Sequence, residues 1–196
     1  DTALMDAAYN GHTDIVRALL DKGAMSDLQD QQGNTALIFA AQKGHADTVK
    51  ALINAGADIH IQRQSGDTAL IKAASFGHTK VVTALIDAGA ILDVQNNNGD
   101  TALMLAIDCS QNIETVQVLI DAGANPLLEN NKTLTALFMA KVNPKSWLYT
   151  PVVMNAIKKY EEKKRTNFEG KMISSLTHVK SFNADDNVSK KDHHNP

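Results

Sequence analysis

The chain has 196 residues, 43% of them hydrophobic, which is enough apolar material for a continuous core and argues against disorder throughout. Its only cysteine, Cys109, excludes an intramolecular disulfide and a zinc site built from several thiolates, and suits a reducing intracellular compartment. The net charge of −3 conceals an asymmetry: residues 1–140 carry eight Lys and Arg against sixteen Asp and Glu (net −8), residues 141–181 nine against three (net +6), and the tail from 182 two against three (net −1).

The chain opens inside a repeated unit, at Asp1 and without a methionine, and therefore reads as a fragment that further repeats could precede. Thr2, Thr35, Thr68, Thr101 and Thr135 each begin a TAL triplet followed by an apolar residue, at spacings of 33, 33, 33 and 34. Gly23-Ala24, Gly56-Ala57, Gly89-Ala90 and Gly123-Ala124 keep the same interval, and Gly11-His12, Gly44-His45 and Gly77-His78 mark the first three units. In the fourth unit Gln111-Asn112 takes the place of Gly-His, and the extra residue falls most simply between Cys109 and Asn112.

Within each unit the Thr, and the Asp or Asn before it, are helix N-cap types that start a short first helix with apolar residues on one face, as in Ala36, Leu37, Ala40 and Ala41. Gly44 ends that helix, and a second follows with Val49, Leu52 and Ile53 on one stripe. Gly56 is placed to end the second helix through a left-handed residue. Polar tips such as Gln31-Gln32-Gly33 and Asn97-Asn98-Gly99 then read as tight turns into the next unit. One such unit is too small to bury its own stripe, so the units must stack.

The ends are less regular. After Ala140 the segment KVNPKSWLYT replaces the short turn, and Thr150-Pro151 predicts a new helix, with Val153, Ile157 and Tyr160 on one face and a lysine- and glutamate-rich solvated face over 158–165. A further amphipathic segment runs from Phe168 to Val179, interrupted by Gly170, and the chain from Asn183 is polar enough to be disordered. The predicted division is 1–140 repeats, 141–165 a divergent fifth unit with a capping helix, 166–181 a basic extension, and 182–196 a tail.

These markers resemble the ankyrin repeat, whose pattern runs D-x-x-G-x-T-P-L-H-x-A-A-x-x-G-H-x-x-x-V-x-x-L-L-x-x-G-A, over residues 1 to about 140. The TAL-rich usage is similar to that of ankyrin proteins of intracellular bacteria and protists. Ala stands in place of the pattern's Pro in every unit, which loses a preset helical φ. Met, Ile or Phe stands in place of its His, which makes the core more apolar. The resemblance implies an all-α solenoid of helix-turn-helix units with short β-turn or hairpin connections, acting by binding a protein or peptide. In that family the concave binding surface is formed by turn tips and outward first-helix positions. Carried over residue by residue, this selects Tyr9, Phe39, Lys43, Lys72, Phe76 and Leu105 on the first helices and Asp67 and Asp100 at the tips, with Phe39 and Phe76 as apolar anchors and the charged groups setting orientation.

Catalysis, a cofactor and a metal have no support. Cys109 lacks an identifiable paired base, and no phosphate-binding glycine loop or nucleophile elbow occurs. His12, His45 and His78 recur once per unit, roughly 10 Å apart by layer spacing, too far to share an ion, and read as braces of the turn between helices. His193-His194 reads as a plain polar pair. An acidic array is a poor nucleic-acid binder. No stretch reaches the roughly 20 apolar residues of a membrane span, and the first residues are not those of a signal peptide. The reading is a soluble monomer. Its alternatives are the recognition module of a larger enzyme or secreted effector, a spacer with no groove partner, and a nucleic-acid binder acting through the basic extension, where Lys158 to Arg165 reads chiefly as a solvated helix face.

Overall fold

The computed structural model describes residues 2–108, 113–143, 151–162 and 165–166. The expectations about Cys109, the Gln111-Asn112 insertion, the 144–150 segment including the Thr150 cap, the Phe168–Val179 segment and the tail with its histidine pair lie outside the described residues. The chain divides into two units, residues 1–157 and 158–196.

The first unit is a stack of helix pairs. Its helices are α1 Ala3–Tyr9, α2 Thr13–Asp21, α3 Ala36–Lys43, α4 Ala46–Asn54, α5 Ala69–Ser75, α6 Thr79–Asp87, α7 Ala102–Asp108, α8 Ile113–Asp121 and α9 Ala136–Val142. First helices pack on first helices in the order α1, α3, α5, α7, α9, and second helices in the order α2, α4, α6, α8. Residues 151–157 are helical as well, with Val153 in the core. In the second unit, residues 158–162 are helical, with Lys158, Lys159, Glu161 and Glu162 exposed and Tyr160 half-buried. Among the described residues the only β pairing is one isolated antiparallel bridge, Glu129 to Thr135, so the connections are tight turns.

The TAL triplets start the helices as their residue types dictate. The hydroxyls of Thr2, Thr35, Thr68 and Thr135 accept from the backbone N–H of Met5, Ile38, Ile71 and Phe138 at 3.2–3.3 Å, and that of Thr101 from Met104 at 3.4 Å. Thr35, Thr68 and Thr101 are themselves buried, so each hydroxyl satisfies a donor that water cannot reach. The residues in place of the pattern's His, namely Met5, Ile38, Ile71 and Met104, are fully buried, whereas Phe138 of the last unit is 49% exposed. α9 has a first-helix neighbour, α7, on one side.

The Gly-His pairs form a lock between repeats rather than a brace within one turn. The His45 ring nitrogen Nε2 lies 3.0 Å from the Tyr9 carbonyl oxygen, and that of His78 3.0 Å from the Gln42 carbonyl oxygen. Both carbonyls belong to the end of the preceding first helix, where the helix leaves them unpaired. The preceding glycine provides the seat: a Cβ on Gly44, which has φ +80°, would stand 2.7 Å from His78 Nδ1.

Thr68→Ala is expected to cost about 1 kcal/mol, because it leaves the buried Ile71 N–H without its acceptor. Urea denaturation monitored by circular dichroism would show a lower midpoint at an unchanged slope.

Candidate functional site

The first-helix positions that do not build the core lie four, seven and eight residues after each Thr. In α3, Ala36, Leu37, Ile38, Ala40 and Ala41 are buried, while Phe39 and Gln42 are half-buried and Lys43 is exposed. The same alternation leaves Lys72 and Ser75 half-buried on α5 and Phe76, its C-cap, exposed at 49%, Tyr9 exposed at 41% on α1, and Leu105 half-buried on α7. A period of 3.6 residues dictates this: one side of each short helix is buried in stacking and the other is exposed or half-buried, with Phe39 and Leu105 still packed against the edge of the core.

The exposed side chains are organised into two clusters. In the first, Tyr9 and Phe39 meet edge to face with ring centroids 5.7 Å apart, and the Lys43 ammonium stands 4.3 Å from the Tyr9 ring centre. In the second, the Lys72 ammonium lies 5.2 Å from the Phe76 ring centre, and Phe76 stacks on His78 at 6.0 Å. Partial burial of Lys72 lowers its pKa from the ordinary lysine value; Asp67 opposes this and Arg63 adds to it.

The tips carry a hydrogen-bonded ladder. Backbone N–H groups of Gln64, Asn97 and Asn131 donate to the carbonyls of Gln32, Ser65 and Asn98 in the preceding tip, at 2.9, 2.9 and 3.0 Å. Asp67 and Asp100 belong to this ladder: Asp67 accepts from Ser65 Oγ at 2.8 Å and Asn96 Nδ2 at 2.9 Å, and Asp100 from Asn130 Nδ2 at 2.7 Å. Their carboxylates are thus engaged in joining tips.

Three of the four tips are pinned by one short carboxyl or amide side chain. Asp30 Oδ1 accepts from the N–H of Gln32 and Asn34, Asn96 Oδ1 from Asn98 and Asp100, and Asn130 Oδ1 from Lys132 and Leu134. Burial works against the Asp30 carboxylate, but bonds from the Asn34 side chain and the Asn34 and Gln32 N–H groups hold its pKa below the usual value. In the second tip the equivalent residue is Arg63, which cannot accept. Its Nε is buried without a partner, and so is Asn34 Oδ1. These two atoms occupy the places of Asn96 Nδ2 and Asp67 Oδ1 one repeat earlier, so the same rung of the ladder is missing.

Sequence reasoning passed over Arg63 and His78 as site residues. The signal for Arg63 was available: units two, four and five have Asp30, Asn96 and Asn130 at that position.

A family model described as Ankyrin repeats (3 copies) matches residues 1–63 and 47–130. The chain belongs to the ankyrin repeat family. No curated protein matches it. Ankyrin repeats are generally protein-protein interaction modules and typically non-catalytic scaffolds. Among the described residues, no helix is long and apolar enough to cross a membrane.

Arg63→Asn is expected to stabilise the array by about 1 to 2 kcal/mol, since it restores an acceptor for two tip N–H groups and a donor toward Asn34. Differential scanning calorimetry would show a higher melting temperature.

Proposed function

We propose that the chain is a protein-recognition module that holds a protein or peptide segment in the groove formed by its first helices and turn tips, without catalysing a reaction. The observation that carries this is the pair of aromatic-cation clusters, Tyr9-Phe39-Lys43 and Lys72-Phe76, at the outward first-helix positions, the second backed by the His78 ring that joins the repeats. Rigid aromatic rings with a polar surround are the composition of binding hot spots, and here they stand on neighbouring helices. Phe39 and Phe76 are the apolar anchors, with Lys43 and Lys72 beside them and Leu105 extending the surface onto the fourth repeat. Asp67 and Asp100 shape the rim, their oxygens already holding the tips together. In a longer protein the same surface would serve as the recognition part of an enzyme or effector.

Affinity capture from a lysate of the source cell, comparing the parent with a Phe39→Ser/Phe76→Ser variant of matched melting temperature, is expected to lose its partner in the variant. Identical partner sets would point to a spacer. A strongly salt-dependent nucleic-acid interaction that vanishes when the charges of residues 158–165 are neutralised would move the activity to the basic extension.

A further inference from the structure

We infer that the groove face of the second and third repeats is built for a linear peptide segment whose carboxylate side chains are interleaved with bulky apolar ones. This rests on the groove reading above and names the chemistry of its occupant.

The two repeats use the same two outward positions in opposite order. α3 has Phe39 four residues after its Thr and Lys43 eight after, while α5 has Lys72 at four and its C-cap, Phe76, stands at eight. Positions four apart lie about 6 Å apart along a helix, and packed helix axes are roughly 8 to 10 Å apart. Ring and ammonium therefore alternate both along each helix and across from one to the next. A uniformly apolar segment would have to strip water from the ammonium groups without replacing it, and a uniformly acidic one would leave the rings uncovered. A segment that alternates the two satisfies both.

The sign of the charge follows from what each charged group already does. Among the described residues, neither ammonium forms an ion pair with a carboxylate, although Asp67 favours the charged form of Lys72: Lys43 rests on Tyr9 and Lys72 on Phe76, an arrangement that leaves ammonium donors directed away from the ring. The tip carboxylates are engaged, Asp67 by Ser65 and Asn96 and Asp100 by Asn130. A basic segment would have to compete with those bonds, whereas an acidic one meets cations that are in no direct ion pair.

Arg63 is the second, independent observation. It stands where the other tips have Asp30, Asn96 and Asn130, forgoes their turn bonds, and leaves a buried donor and acceptor unmet. Its charge also disfavours the charged form of Lys72, against the larger favourable effect of Asp67. A residue that breaks the local rule, with its buried Nε unmet, and adds positive charge to the tip that precedes α5 is accounted for by an anionic ligand.

The test offers the full chain a displayed library of random short peptides, and remakes the selected sequences for fluorescence anisotropy. Selected peptides are expected to be rich in Asp and Glu interleaved with Leu, Ile and Phe. Binding should fall at least about tenfold in Lys43→Glu/Lys72→Glu and weaken as NaCl is raised. Arg63→Asn should weaken it roughly three- to tenfold while melting no earlier than the parent, which separates a contact role from a folding defect. Should the charge-reversed pair melt early, Lys43→Gln/Lys72→Gln is expected to move affinity in the same direction. Neutral or basic selected peptides that Phe39→Ser/Phe76→Ser abolishes would overturn the acidic occupant and leave the groove reading standing. Peptides indifferent to both double variants would overturn both. Displacement of the acidic peptide by a short single-stranded oligonucleotide at lower concentration would replace it with a polyphosphate ligand.

Discussion

No repeat of this chain can bury its own apolar stripe, and every other feature of the structure depends on that. Leu37, Leu70 and Leu103 are each about 1% exposed because the neighbouring first helices cover them. Burying one such side chain contributes roughly 1.5 to 3 kcal/mol, more than the approximately 1 kcal/mol of the Thr cap that starts its helix. Stacking therefore outweighs helix propensity, and helices of seven to nine residues, too short to persist alone, are stable in the array. Close approach is what the paired alanines provide: Ala40, Ala41, Ala73 and Ala74 are fully buried and leave no side-chain bulk between layers. The His45 and His78 contacts add direction to this packing, since a ring seated over the preceding glycine and aimed at one carbonyl fixes how each layer meets the last.

Much of this was legible in the sequence because it recurs. The TAL triplets gave the starts of α1, α3, α5, α7 and α9, the glycines gave the ends of the helices in the first three units and of α8, and the outward first-helix positions are the ones the structure leaves exposed or half-buried. What could not be read were relations between residues about 33 apart that differ from one unit to the next. Nothing local to Asp67 or Asp100 shows that Asn96 and Asn130 donate to them, so both looked like free rim charges. Nothing local to His45 shows that its partner is Tyr9 in the unit before, so it looked like a brace within its own turn. Period identifies the fold, whereas the site is made of departures from period.

That division explains how one scaffold separates stability from recognition. On α5 the residues Leu70, Ile71, Ala73 and Ala74 are committed to the core, and Lys72 and Phe76 project from the same two turns without taking part in it. Exchange at those outward positions changes the surface and leaves the layer intact, as the opposite order of ring and lysine on α3 and α5 illustrates. A fold under this constraint can vary its outward surface without varying its packing, so the fold alone does not specify what that surface meets.

Arg63 is the place where the two demands meet in one residue. The tip needs a short acceptor there, which Asp30, Asn96 and Asn130 provide, and an arginine can neither accept the tip N–H groups nor complete the rung to Asn34. The resulting loss is local, because the backbone bonds from Arg63 to Asp67 and from Gln64 to Gln32 still join the turn and hold it to its neighbour. A stack in which each layer is secured by a buried core and a second row of bonds can carry one such defect without losing its register. The same position in an isolated hairpin would have no core to support it. Redundancy between the core and the tip ladder is thus what permits an arginine at this turn position, in a repeat whose packing is otherwise regular.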